Sequence, residues 1–285
     1  MLTVVSFVGI VAIGQVVLLI CGEFDLSVGS VAGLASVVCA TLMASFSLPV
    51  PLAVLAGLAT GALLGAVNGL VVVRLRIPAF IQTLGMLFIG QGLIQVVTKG
   101  YPVYPLPDIV GAVGQARVFL GLGWSFVVFA LAALASDFIL RRTVGGRNLY
   151  ATGGNAEVAR LVGINTVRYK LAAFTLVGLL SAAAGMFVMA DLGSGATSIG
   201  TGWELTVIAG VVVGGVSLFG GVGSMAAGLV GMLLLQVVQS GLVIIGVSAN
   251  WQQIAVGVIM VTAVGLDVLR RRLFVQAEGG LTDER

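Results

Sequence analysis

The sequence predicts an all-α fold, a polytopic integral membrane helix bundle, and three observations predict it. Charged residues make up 9% of the 285-residue chain and hydrophobic residues 59%, whereas a soluble domain carries about 25% charged residues. The apolar residues gather in blocks of roughly 20, the length that crosses about 30 Å of hydrocarbon at 1.5 Å per residue. These blocks show no period-two alternation and are too long for the strands of a membrane barrel.

About nine spans are expected, at residues 4–21, 29–46, 51–73, 78–98, 118–140, 170–191, 204–219, 224–246 and 248–269. The segment Gly22 to Ser30 interrupts the first apolar run and is expected to be non-helical. The seventh span is the shortest. Orientation follows from the basic residues, which accumulate on the cytoplasmic side. With loop 141–170 placed inside, Arg141, Arg142, Arg147, Arg160, Arg168 and Lys170 are cytoplasmic. Counting spans from there puts Arg74, Arg76, Arg270, Arg271, Arg272 and Arg285 inside as well. Only Lys99 and Arg117 fall outside, so the balance is 12 against 2. The net charge of +3 therefore reads as topology, not as a surface for nucleic acid. Nine spans with a cytoplasmic C-terminus leave Met1 outside and almost directly in a span. The expectation is a ten-span ancestral form with both ends cytoplasmic, whose first helix lies before Met1.

Gly57, Gly61, Gly65 and Gly69 recur every four residues and form a small-residue stripe on one face of the third span. Such a stripe lets two helix backbones approach closely where lipid removes the hydrophobic drive for association; a part in gating is the other reading. Gly210 and Gly214 repeat the spacing. Val28-Gly29-Ser30 and Val222-Gly223-Ser224 each open an outward-going span, a faint echo of the duplicated halves common in transporters.

The chemistry excludes several classes. The acidic residues of the bundle, Glu23, Asp25, Asp137, Asp191, Glu204 and Asp267, lie near span ends, so no mid-membrane proton or sodium relay is visible. There is no histidine and no phosphate-binding loop, and neither of the two lysines, Lys99 and Lys170, follows the required glycine pattern. The chain cannot hydrolyse ATP alone. Cys21 and Cys39 sit in apolar stretches and read as small buried hydrophobes, with no metal spacing. Uncharged polar residues remain, among them Asn68, Gln82, Thr83, Gln91, Gln95, Gln236 and Gln252. Amides and hydroxyls can exchange hydrogen bonds with a neutral, hydroxyl-rich solute. They can equally bond helix to helix.

Loop 141–169 is the longest cytoplasmic connection. A short helix is expected over about 156–162, capped by Asn155, with Glu157 at its positive end and Gly163 closing it in the left-handed conformation. Ala156, Val158, Ala159, Leu161 and Val162 make it too apolar for a solvated loop, so it either meets a partner surface or lies against the bundle or the headgroups.

Several segments resemble, in order, the permease subunits of ribose/xylose/arabinose-type ABC sugar importers. Gly22-Glu23-Phe24-Asp25-Leu26-Ser27-Val28-Gly29-Ser30 is similar to that family's Gly-Gly-Ile-Asp-Leu-Ser-Val-Gly-Ser. Asn68-Gly69, Ile77-Pro78-Ala79-Phe80-Ile81-Gln82-Thr83-Leu84-Gly85, Glu204-Leu205, Gly214 through Ser224, and Trp251-Gln252 follow at matching spacing. The Gly146-Arg147 to Gly163-Ile164 stretch resembles the loop that docks on the ATPase. The resemblance covers nearly the whole chain. It implies a type II ABC importer-like permease domain over 1–269, a cytoplasmic tail over 270–285, and a place in the bacterial inner membrane. The implied partners are an ABC ATPase subunit, a second permease copy or sister permease, a periplasmic sugar-binding protein and membrane lipid. The permease itself then needs no cofactor, since ATP is used by the ATPase. Arg147, Gly153, Asn155, Ala156, Glu157, Arg160 and Gly163 become the implied coupling loop. Asp25, Ser27, Asn68, Gln82, Thr83 and Gln91 are candidates for the translocation path or its gate. A related permease for a polyol, nucleoside or branched-chain amino acid, or a membrane subunit that moves nothing, is the alternative. Glu23-Phe24 departs from the family's Gly-Ile and adds a carboxylate beside Asp25.

Overall fold

Lipid offers no hydrogen bonds to backbone amides, so each apolar block must close its own, and the helix does this locally. The computed structural model, which describes residues 2–119 and 121–280, is a bundle of helices built on this rule. In chain order they are α1 Leu2–Ile20, α2 Val28–Ala44, α3 Val50–Leu75, α4 Ala79–Thr98 and α5 Asp108–Gln115, then a short hairpin of β1 Arg117–Phe119 and β2 Leu122–Gly123. There follow α6 Trp124–Arg142, α7 Val144–Gly154, α8 Ala156–Leu161, α9 Thr166–Leu192, α10 Trp203–Val213, α11 Met225–Ile244 and α12 Ala249–Gly280. Seven of these, α1, α3, α4, α6, α9, α11 and α12, are long and apolar enough to cross a membrane.

α1 is apolar on every face, and a helix of that kind belongs inside. It packs against α9, α6, α11 and α10, and Ile10, Val11, Ile13, Val16, Leu18, Leu19 and Ile20 are fully buried. The second interface of the bundle is α3 against α9. Gly61 and Gly178 oppose each other so closely that a Cβ on either would strike the other's carbonyl oxygen, and a Cβ on Gly65 would strike that of Phe174. At Gly57 the nearest atom to an added Cβ is Met186 Sδ at 2.7 Å, and at Gly69 it is Phe174 Cβ at 3.0 Å. The stripe thus places two backbones in van der Waals contact, the form of attraction left to helices in lipid.

Each of the nine apolar blocks carries a helix, but two are shorter than a span: α2 has 17 residues and α10 has 11. The expected seventh span, 204–219, stops at Val213. Gly210 and Gly214 face α11 at backbone contact, and Gly215 turns the chain with φ of 92°, which a helix cannot continue through. Residues 214–224 then run without regular structure beneath buried Val216, where neighbouring protein can satisfy the freed backbone. The fifth span begins at Trp124 and not at 118, because 117–123 folds back as the hairpin. The connection 141–169 is not one loop with one helix: α7 precedes α8, and α9 starts at Thr166, four residues before the expected 170. α12 continues past the expected end at 269 to Gly280, and the last residues of the expected tail, 281–285 with Arg285, lie outside the described residues. The two echoing triplets differ in register. Val28-Gly29-Ser30 lies inside α2, whereas Val222-Gly223-Ser224 precedes α11 and ends on its cap.

Candidate functional site

The linker between α1 and α2 is non-helical, as its sequence suggests, and it carries a cluster of hydrogen-bonded polar side chains. Asp25 accepts hydrogen bonds at Oδ1 from both the backbone nitrogen and the hydroxyl of Ser27, each at 2.6 Å. This turn fixes the entry into α2. Asn68, on α3, donates from Nδ2 to Asp25 Oδ2 at 3.2 Å and to Ser27 Oγ at 2.9 Å. Gln82, in the first turn of α4, donates to Asn68 Oδ1 at 3.1 Å. Asp25, Ser27 and Asn68 are buried. One cluster therefore ties the start of α2, the last third of α3 and the start of α4, and each group in it is satisfied by another, as burial demands. Thr83 is also buried, but its hydroxyl bonds the Ala79 carbonyl of its own helix at 2.8 Å and does not join the cluster.

Two cavities flank this cluster. The first, of about 620 Å³, lies at the end of the bundle that bears α8 and is lined by Glu23, Arg76, Glu157, Arg160 and Lys170 over an apolar floor that includes Val72 and Val73. The second, of about 400 Å³, is lined by Ser30, Gln91, Gln95, Thr197 and Thr201 with Phe88 and Ile94. Among the described residues, none that lines it is charged. Ser30 connects the two regions, since its hydroxyl donates to the Ser27 carbonyl at 3.0 Å. Gln91 therefore sits in a cavity of its own, apart from the other candidate path residues.

The chain between α6 and α9 is organised by local caps. Thr143 caps α7 by accepting from Gly146 N at 3.1 Å. Asn155 caps α8, accepting from the nitrogens of Glu157 and Val158 at 3.0 and 3.1 Å. Gly163 ends that turn at φ of 86°, the left-handed position anticipated for it. Ala159 is buried beneath α8, while Val158, Leu161 and Val162 are exposed at 54, 85 and 71%. Arg160 bonds Thr166 at 2.8 Å, tying α8 to α9. Arg147 is exposed on α7.

α7 is held on the bundle at three points. Asn148 donates to Tyr169 of α9 at 2.8 Å, and Tyr150 donates to the Gly223 carbonyl at 2.8 Å. Burial pushes the Tyr150 phenol above its usual range, with Arg141 pulling it down and Asp137 pushing it up, so it stays a proton donor. At the third point side chains vanish. Gly153 lies against the Ile20 carbonyl so tightly that no Cβ would fit, and Gly221 N donates to the same carbonyl at 2.9 Å. Gly22, Gly153 and Gly220 meet there, joining the end of α1, the end of α7 and the loop before α11. Glu23, the departure noted beside Asp25, forms an ion pair with Lys170 of α9 and is turned to the first cavity.

With these elements placed, comparison decides the family. The family described as "Branched-chain amino acid transport system / permease component" matches residues 1–264. The chain belongs to this permease family. The permease is 38% identical over 262 residues to the ribose import permease protein of Escherichia coli strain K12, a match over 90% of its own length and 81% of that relative's. It is 33% identical over 327 residues to the xylose transport system permease protein of the same strain, over 94% and 83% of the two chains. It is 35% identical over 278 residues to the galactose/methyl galactoside import permease protein of Haemophilus influenzae, over 92% and 83%. No solved structure matches it.

Sequence reasoning picked out Asp25, Ser27, Asn68 and Gln82 one by one, and the structure brings them together. It missed the Glu23–Lys170 pair, the contribution of Thr197 and Thr201 to the second cavity, and the glycine joint at Gly153. Opposite charges at neighbouring span ends were the available signal for the pair. The crowding of glycine at 214–223 was the signal for the joint.

Proposed function

We propose that the permease is the membrane-spanning subunit of an ATP-driven importer that carries a sugar or sugar-like neutral solute across the bacterial inner membrane. One observation carries this reading: relatives named for ribose import, xylose transport and galactose import each align with 90% or more of the chain. The geometry supports it in three ways. The second cavity offers amides and hydroxyls without charge among the described residues, which suits a neutral polyhydroxyl solute better than the zwitterion of a branched-chain amino acid. The Asp25–Ser27–Asn68–Gln82 cluster stands between two cavities, where a gate belongs. α8 and its C-cap present Leu161 and Val162 outward, flanked by Glu157 and Arg160, a surface suited to a groove on a partner ATPase.

In this reading loop 141–169 and the C-terminus are cytoplasmic, and the second cavity opens toward the periplasm, where a binding protein delivers the solute. ATP is consumed by the ATPase subunit, and the permease holds no cofactor. Its partner in the membrane is a second copy or a sister permease. Reconstitution with the cognate ATPase and binding protein tests the proposal. ATP-dependent uptake of labelled ribose, xylose or galactose is expected. An intact complex that hydrolyses ATP and takes up none of these sugars overturns it.

A further inference from the structure

We infer that the first cavity is a solute-binding site open to the cytosol, at which a neutral polyhydroxyl solute touches α8 and holds the ATPase back when the solute accumulates inside. This rests on the import reading above, and it adds a second site and a regulation to it.

Position is the first ground. Val72 is one helical turn beyond Asn68 on α3, and Ala79 is about one turn before Gln82 on α4. The hydrogen-bonded cluster thus roofs the cavity, and a solute released past the cluster arrives there. The volume of about 620 Å³ lies in the range of about 300–1,000 Å³ usual for small-molecule sites.

Chemistry is the second ground. Glu23 and Glu157 offer carboxylate acceptors, and Arg76 and Arg160 offer planar donor forks. Neighbouring hydroxyls on a sugar ring both donate and accept, so they can use both kinds of partner. The lining carries charged donors and charged acceptors side by side, and neighbouring ring hydroxyls can bridge the two. Glu23 and Lys170 already neutralise each other. Val72, Val73, Ile77 and Pro78 supply an apolar wall for the C–H face of a ring. The second cavity lacks such charged groups among its described lining, so of the two the first has the stronger hydrogen-bonding partners.

The third ground is what the site spans. Arg76 sits at the turn from α3 to α4, while Glu157 and Arg160 belong to α8. A solute bound to both sides favours the arrangement in which they stay this close. A ligand shifts an equilibrium by its differential affinity for the two states. Internal solute therefore opposes any displacement of α8 relative to α3 and α4.

The test uses the complete transporter in inside-out vesicles. Cys21 and Cys39 are fully buried, so a cysteine introduced as V73C is the reactive thiol of the permease toward a membrane-impermeant maleimide. A transported sugar at about ten times its dissociation constant should slow that labelling about tenfold. V144C, exposed at the start of α7 and outside the cavity, should label at an unchanged rate. Arg76→Gln, at an exposed position, should remove the protection of V73C. In the unmodified transporter, the same sugar on the cytoplasmic face should lower ATPase activity, and Arg76→Gln should relieve that inhibition. A sugar that is taken up yet leaves V73C labelling and ATPase activity unchanged overturns the inference while the import reading stands. Equal slowing at V73C and V144C overturns it too. Absence of uptake of every sugar overturns the import reading itself.

Discussion

Asn68 is the residue on which the polar cluster turns, because its one amide donates to Asp25 and Ser27 and accepts from Gln82. Asn68→Ala leaves buried Asp25 and half-buried Gln82 each short of a partner. The expected loss is about 1–3 kcal/mol of stability, the cost of a buried polar group left unmade. If the cluster is the gate, the same substitution should raise sugar leak in proteoliposomes without ATP, and Thr83→Val should not, since Thr83 bonds only its own helix among the described residues. A melting curve and a leak assay check both. The residues of the cluster were legible as polar interruptions of apolar blocks. Their mutual bonding was not, because helical spacing says which residues share a face but not which faces meet. Gln82 and Thr83 are adjacent in sequence, yet only Gln82 bonds to α3 among the described residues.

At the level of elements, α8 was the most legible piece of the connection between α6 and α9. Asn155 and Gly163 mark its ends by rules that need no tertiary context. Asn155→Ala should destabilise the turn by about 0.5–2 kcal/mol, the usual cost of a lost cap, and hydrogen exchange at Glu157 and Val158 would report it. If α8 couples to the ATPase, Glu157→Ala or Arg160→Ala should lower sugar moved per ATP hydrolysed while membrane insertion stays normal. Normal coupling in both would remove that role. α7 was not legible, because Gly145, Gly146, Gly153 and Gly154 argue against a helix on propensity alone. It forms because Thr143 caps its start and its far end seats on the carbonyl of Ile20, and this second contact comes from a distant residue. The shortening of α10 has the same origin. Its apolar composition promised a full span, but backbone contact of Gly214 with α11 and the turn at Gly215 set its length.

At the scale of the whole molecule, the α3–α9 contact is the seam that geometry constrains most. Gly61→Leu or Gly65→Leu should abolish assembly, since each added side chain would meet carbonyl oxygen of α9; overpacking of even a few atoms typically costs about 1–3 kcal/mol. Gly92→Ala, where an added Cβ meets nothing within 4 Å, should leave the yield of folded protein unchanged. Comparison of monodisperse protein after detergent extraction separates the two outcomes. The central place of α1 bears on the history of each molecule. Ile20 and Thr166 are 146 positions apart, so at about 5–20 residues per second of synthesis α9 arrives about 7–30 s after α1. During that interval Ser6, which ends up donating to Ser125 of α6, and the other buried residues of α1 lack most of their final neighbours. The order in which the ribosome delivers helices thus runs opposite to the order in which the bundle encloses them, and the innermost helix must be sheltered in the membrane until its walls are built around it.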